Sequence, residues 1–328
     1  VAGGAEREIK DLLAGGRTHA QAGDSRAATS FFAAALRAAA GAGDLPAALV
    51  AELRSAQAYL REAAARYQAH LERVVAGAQA GPRLDEALAI LLGRKPLHLP
   101  PVPYPQRPSV FHFPDLPQRP FYEREDFAWA PALEAATDAI RGEVEALLAE
   151  GADFRPYVER EKDRPERDFH GLHGDPSWTA FYLWKDGGLV EESGARCPRT
   201  VEAIRQVPLS RIGSRTPSVL FSLLRPGAHI PPHHGMLNSR LICHLPLIVP
   251  PGGWLRVGGE RRAWEEGKLL LFDDSLEHEA MNPAETLRVV LLFDIWRPEL
   301  TEPERRGVSA IFDAIDAFSP EAAPRQDA

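Results

Sequence analysis

Two histidine clusters and one arginine carry most of the residues with an evident chemical use. The first cluster, Pro231-Pro-His233-His234-Gly-Met-Leu-Asn-Ser-Arg240, opens a strand-like run that ends Leu241-Ile-Cys-His244-Leu-Pro-Leu-Ile-Val249. The second is Phe272-Asp-Asp274-Ser-Leu-Glu-His278-Glu279, and Arg288 follows inside another strand-like run, from Thr286 to Trp296. Most of the eleven histidines are expected to be structural or superficial, so position has to separate the candidates. His233 and His234 are neighbours, and in extended chain only one of them can face inward. His278 follows two aspartates at the end of a hydrophobic strand, where the rim of a barrel would lie. Imidazoles from two strand ends leave several coordination positions open, as a redox metal needs if it is to hold both an organic acid and dioxygen. A buried Arg288 calls for an anion, and a dicarboxylate supplies one through a bidentate contact. The competing account pairs Arg288 with Asp294 or with another side chain on its own face.

These groups need a scaffold of strands. Trp178 to Lys185, Ser218 to Leu224, Arg240 to Val249, Trp254 to Val257, Lys268 to Phe272 and Thr286 to Ile295 each read as a strand, bounded by Gly and Pro turns. Most of them follow one another with no helix between, which predicts an antiparallel barrel or jelly roll. Before them, Trp129, Leu133, Ala136, Ile140, Val144 and Leu147 recur at helical spacing and predict a helix over Asp126 to Glu150 that covers the sheet. A short helix is expected over Pro198 to Val207, and a terminal one from Thr301 to Ser319.

Residues 1–94 are rich in Ala, Leu, Glu and Arg and read as four or five helices, broken at Gly23-Asp24, Gly41 to Asp44 and Gly81-Pro82. Leu12, Gly16, Ala28, Phe32 and Ala35 fall on the small and large positions of one tetratricopeptide-like helix pair. That suggests either a module for a partner or a helical pad. Nine prolines between Lys95 and Phe121 exclude helix and central strand. Residues 95–121 are therefore expected to be a stiff, extended, proline-rich linker along the surface, with residues 122–328 forming the barrel domain and its C-terminal helix.

At 328 residues the chain can form a large domain and a smaller one. Its 45% hydrophobic and 26% charged content is that of a water-soluble protein, and no apolar run approaches the roughly 20 residues that cross a bilayer. A net charge of −8 and an isoelectric point near 5.8 argue against a nucleic-acid surface. Cys197 and Cys243 are too few and too far apart for a disulfide framework or a thiolate zinc site, which fits a reducing, cytoplasmic setting. No charged stretch followed by an apolar one opens the chain, though Val1 is not an initiating methionine, so a trimmed leader stays open.

From Phe111 to Leu300 the sequence resembles the aspartyl/asparaginyl β-hydroxylases, a family of Fe(II)- and 2-oxoglutarate-dependent oxygenases. The resemblance rests on Ser222-Leu-Leu-Arg-Pro-Gly-Ala-His-Ile-Pro-Pro-His233-His-Gly235, Asn238-Ser-Arg240-Leu-Ile-Cys-His244-Leu, Trp264-Glu-Glu-Gly-Lys, Phe272-Asp-Asp-Ser-Leu-Glu-His278-Glu, and Arg288 through Leu300. It implies a double-stranded β-helix with iron held by His233 and His278. The carboxylate ligand usual in such oxygenases would stand at Gly235; some members have glycine there, and Asp274 would hold a water in its place. The resemblance further implies Arg288 and Ser222 at the distal carboxylate of 2-oxoglutarate, and His244 near its chelating end. Arg240 would meet a carboxylate of cosubstrate or substrate, and Trp178 would flank the pocket. One departure stands out: Ile242 replaces the second arginine of the family's Arg-Leu-Arg-x-His pattern. The loop with His170 and His173 has no dependable counterpart.

The reaction so implied couples oxidative decarboxylation of 2-oxoglutarate to hydroxylation of an unactivated carbon. Three readings compete. The leading one is an Asp or Asn residue in a peptide or protein, presented with help from the helical domain and away from membranes. The second keeps the chemistry on a lipid, a free amino acid or a natural-product peptide. The third is a non-catalytic metal-binding scaffold.

Overall fold

The computed structural model describes residues 2–77, 81–158 and 174–318. In chain order its helices and strands are α1 (Ala2–Gln21), α2 (Ser25–Ala40), α3 (Ala47–Val75), α4 (Pro82–Leu91), β1 (Phe121–Tyr122), α5 (Ala130–Ala135), α6 (Thr137–Ala149), β2 (Arg155–Pro156) and β3 (Trp178–Lys185). There follow β4 (Gly188–Leu189), α7 (Glu191–Arg196), α8 (Pro198–Ile204), β5 (Val219–Leu224), β6 (His229–His233), β7 (Arg240–Ile248) and β8 (Trp254–Val257). The chain ends with β9 (Glu260–Ala263), β10 (Leu270–Phe272), β11 (His278–Met281), β12 (Arg288–Trp296) and α9 (Glu302–Phe318). The charged loop starting at Glu159, together with His170 and His173, lies outside the described residues.

Strict alternation in the long strands sets the architecture. On β7, Leu241, Cys243, Leu245 and Leu247 face one side together with Val289, Leu291, Phe293 and Ile295 of β12. There they meet Leu133, Ile140, Val144 and Leu147 of α5 and α6 and Val201 and Ile204 of α8. The opposite face carries Ala180, Leu220, Ile242, Val290 and Leu292, which meet Ile230, Leu255, Val257 and Ala280 of a second sheet. The fold is thus helices on a large antiparallel sheet, β1-β10-β7-β12-β5-β3-β2 with β4 beside β3, and that sheet on a small one, β6-β11-β8-β9. This is an α+β protein with a double-stranded β-helix, and both faces of its central strands are buried. The helix expected over Asp126 to Glu150 is divided in two at Ala136, but its apolar positions face the sheet as their spacing requires.

Six strands, β1, β2, β4, β6, β9 and β11, have no counterpart in the sequence reading, and two of them, β6 and β11, carry site residues. β6 contains Pro231 and Pro232, which have no N–H to give. It is tolerated because it runs along the edge of the small sheet, where one side needs no partner. β11 is four residues, His-Glu-Ala-Met, too short and mixed for a period to show.

Contacts divide the described residues into two units: 2–77 with 310–318, and 81–158 with 174–309. In the first, Gly16 lets the Phe32 ring approach so closely that a Cβ there would lie 2.5 Å from Cδ1, and Ala28 and Ala35 beside it are fully buried. The end of α9 belongs with these helices: the His70 ring bonds the Ala314 carbonyl at 2.8 Å, and the Phe318 ring meets Tyr67 and His70. Helix α4 belongs instead to the barrel unit, where Arg83 lies over the Phe113 ring and pairs with Glu304.

The proline-rich stretch departs from its expected role as a surface connector. It is extended, and Leu97, Leu99, Val102 and Tyr104 are exposed, but Gln106, Phe111, Phe113 and Leu116 are buried in the barrel unit. The backbone N–H groups of Arg107, Ser109 and Phe111 donate to the carbonyls of Ser275, Gly235 and Met236, so this strap is bonded to both loops that carry the histidines. Proline removes helix and sheet partners from a segment but leaves its other residues free to bind elsewhere.

Candidate active site

One cavity between the two sheets is lined by all eight residues singled out above: Trp178, Ser222, His233, Arg240, His244, Asp274, His278 and Arg288. They arrive from six strands and the loop before β11. Tyr157, Gly235 and the apolar Ile230, Ile242, Leu255, Phe272, Ala280 and Leu292 also line it.

His233 and His278 stand opposite each other in the register of β6 and β11. Their ring centroids are 4.0 Å apart and their planes cross at 50°. Nδ1 of His233 lies 2.8 Å from the Pro231 carbonyl, and Nδ1 of His278 lies 3.1 Å from the Leu276 carbonyl. A carbonyl oxygen only accepts, so both Nδ1 atoms carry the proton and both Nε2 atoms present a lone pair. Burial pushes the His278 imidazole down to about 4, which keeps it neutral. His234, the other member of the pair, does not line the cavity, as strand alternation requires.

Asp274 is buried beside them, and it explains Gly235. A Cβ on residue 235 would lie 2.0 Å from Asp274 Oδ2 and 2.3 Å from its Cγ, so that position has no room for a side chain of its own. Arg240 holds the carboxylate by an Nη2–Oδ2 bond of 3.1 Å, while Oδ1 is buried without a partner. The other terminal nitrogen of Arg240 donates to Asp294 Oδ2 at 3.3 Å, and burial pushes the Asp294 carboxyl up to about 7 against the pull of that guanidinium. Arg240, expected to meet a ligand carboxylate, meets two carboxylates of its own chain. Asp294, expected to be a candidate partner for Arg288, is thereby taken.

Arg288 is therefore left, among the described residues, without a carboxylate partner. It is 1% exposed, and its Nη1 donates to the carbonyl and hydroxyl oxygens of Ser222 at 3.1 and 3.4 Å. No carboxylate among the described residues pairs with it, its Nε has no partner, and burial alone pushes it down to about 9. Its guanidinium carbon sits 4.7 Å from the centre of the Trp264 ring. Trp178 Nε1 donates to Ser222 Oγ at 3.1 Å, and its ring stacks on Tyr157 at 4.0 Å. His244 is held well below the ordinary imidazole range by burial, then by Arg288 and His278.

A family sequence model described as Aspartyl/Asparaginyl beta-hydroxylase matches residues 134–298, half of the chain. The chain belongs to this family. It is 39% identical over 135 residues to the Aspartyl/asparaginyl beta-hydroxylase of Homo sapiens, covering 41% of this chain and 18% of that protein. It is 36% identical over 189 residues to the Ornithine lipid ester-linked acyl 2-hydroxylase of Rhizobium tropici, covering 57% and 63% respectively. To the human Aspartate beta-hydroxylase domain-containing protein 2 it is 32% identical over 212 residues, covering 63% and 55%. The chain thus spans less than two thirds of the length of each of these relatives. Within this β-hydroxylase domain, Tyr157 and the surroundings of Trp264 escaped the sequence reading. Tyr157 sits next to a charged loop and on no strand long enough to show a period. Trp264 stood in a quoted motif but had no visible neighbour.

Proposed function

We propose that this chain is an Fe(II)- and 2-oxoglutarate-dependent oxygenase that hydroxylates an Asp- or Asn-type residue of a peptide or protein. The observation that carries the reading is the pairing, in one cavity, of two Nε2 lone pairs with a buried guanidinium that meets no carboxylate among the described residues. The residues fit the absent groups. His233 and His278 would hold the metal, Asp274 Oδ1 is an orphaned acceptor suited to a bound water, and Arg288 calls for an anion. Among the described residues no group of three or more His, Cys, Asp or Glu is placed for a metal. When bound, iron and 2-oxoglutarate together supply the activation of dioxygen. The chain supplies the rest. Arg288 and Ser222 would orient a carboxylate of the cosubstrate, His244 would donate to it, Arg240 fixes Asp274, and the apolar lining would exclude water. The helical unit is proposed to present the peptide, and the compartment to be the cytoplasm.

A second reading, the same chemistry on an acyl chain, is favoured by one observation. Arg240 is neutralised by Asp274 and Asp294, and Ile242 stands where a second arginine would be, so the described residues that line the cavity offer an acidic substrate no cation besides Arg288, which is proposed for the cosubstrate. Among the described residues no helix is long and apolar enough to cross a membrane.

Succinate formation from 2-oxoglutarate with added Fe(II) tests the chemistry, and His233→Ala and His278→Ala should each abolish it. Normal succinate formation by the His278 variant would remove the assignment. A gain of one oxygen, sought by mass spectrometry on peptides and on lipids in parallel, decides the substrate class.

A further inference from the structure

Trp264 lies just after β9, is 4% exposed and does not line the cavity. It nevertheless touches two of the residues that do. Its Nε1 donates to Nδ1 of His244 at 3.3 Å, and its ring lies under the Arg288 guanidinium. The backbone of Gly253 comes so close that a Cβ there would lie 3.1 Å from the indole Cε3, so the ring has little room to move.

The indole can only donate, and that decides which nitrogen of His244 carries the proton. Nδ1 accepts, so a neutral His244 holds its hydrogen on Nε2. This is the opposite tautomer to His233 and His278, whose Nδ1 atoms donate to carbonyls. Three imidazoles in one cavity are therefore assigned to two tasks by their neighbours: two are lone-pair donors toward a cation, and one is a hydrogen-bond donor toward an anion. The same indole gives Arg288 a π-face in place of a carboxylate. A carboxylate partner would cancel the charge, whereas a ring steadies it and leaves it available to a ligand.

We infer that Trp264 is a positioning residue for the anionic cosubstrate, acting through the tautomer of His244 and the placement of Arg288. The inference rests on the proposed 2-oxoglutarate reading for its ligand, but the tautomer is a property of the protein by itself. Nitrogen NMR of the ligand-free protein reads it directly. The expected result is a single His244 tautomer with the proton on Nε2 and a scalar coupling between Trp264 Nε1 and His244 Nδ1. A proton on Nδ1, or no coupling in the folded wild-type protein, would overturn the inference, and this arm needs no variant to fold.

Trp264→Phe keeps a ring under Arg288 and removes the donor. It should populate both His244 tautomers and weaken 2-oxoglutarate binding, measured with Mn(II), by about fivefold. Trp264→Leu removes the ring face too and should weaken binding by about fivefold more. Wild-type affinity in the Phe variant with an unchanged tautomer would also overturn the inference. If the wild-type protein binds no 2-oxoglutarate, the cosubstrate reading fails, and the coupling and tautomer still decide whether Trp264 positions His244.

Discussion

Two arginines of the barrel are almost equally buried, Arg288 at 1% and Arg297 at 0% exposure, and their surroundings are opposite. Arg297 donates to Asp273 at 2.6 Å, to the Pro117 carbonyl at 2.6 Å, to the Tyr122 hydroxyl at 2.7 Å and to the Asn238 carbonyl at 3.3 Å. Asp273 in turn accepts from Gln106 and Ser275, and Asn238 bonds Gln106 and both backbone groups of Phe113. Arg288 has one serine and the face of an indole. Burial pushes both guanidinium pKa values down, but in Arg297 it is outweighed by Asp273, Tyr122 and Glu299 together, so that group is raised. A buried charge with its counter-charge built in belongs to the structure, and one without it is available to a ligand.

The comparison can be broken in order of effect. Arg297→Met leaves Asp273 buried and unpaired, so it should lower unfolding free energy by about 4 kcal/mol in denaturant titration. Adding Asp273→Asn should recover part of that loss. Arg288→Met should do the reverse: stability unchanged or raised, and 2-oxoglutarate binding weakened by about 100-fold, roughly 3 kcal/mol, by calorimetry. Equal destabilisation by the two variants would erase the distinction.

A third test sharpens it through pH. His278 titrates at about 4 in the folded protein against an ordinary 6.5, so the unfolded chain binds the proton more readily. Its contribution to stability is present above about pH 6.5 and is lost as pH falls toward 4. Without metal, unfolding free energy should fall by about 2 kcal/mol between pH 7.5 and 5, and His278→Gln should remove that share of the slope. The smallest effect is expected from Asn238→Ala, which frees the proline strap from the loop after Gly235 and should cost about 1.5 kcal/mol. Hydrogen exchange at Phe113 and Gln106 should quicken in that variant.

Much of the barrel was legible because β3, β5, β7, β8 and β12 are runs whose alternation survives burial on both faces. The site residues were legible because few polar side chains interrupt such runs without a chemical reason. β6 and β11 were not legible, since one is spoiled by two prolines and the other is four residues long. Asn238, Asp273 and Arg297 stood in plain view within the motifs but could not be told from ligand-binding residues. A charge in a strand looks the same whether its partner is a side chain or a ligand.

The chain by its order of residues determined the strand alternation, the helical cover, and that only one of His233 and His234 could face inward, because those follow from a period of two and from local turn chemistry. Only the tertiary structure decided that Arg240 is spent on Asp274 and Asp294, that Arg288 meets no carboxylate among the described residues, and that a tryptophan N–H meets Nδ1 of His244. Those outcomes depend on distances between residues far apart in the chain, and neither charge pairing nor tautomer is a property of a residue by itself.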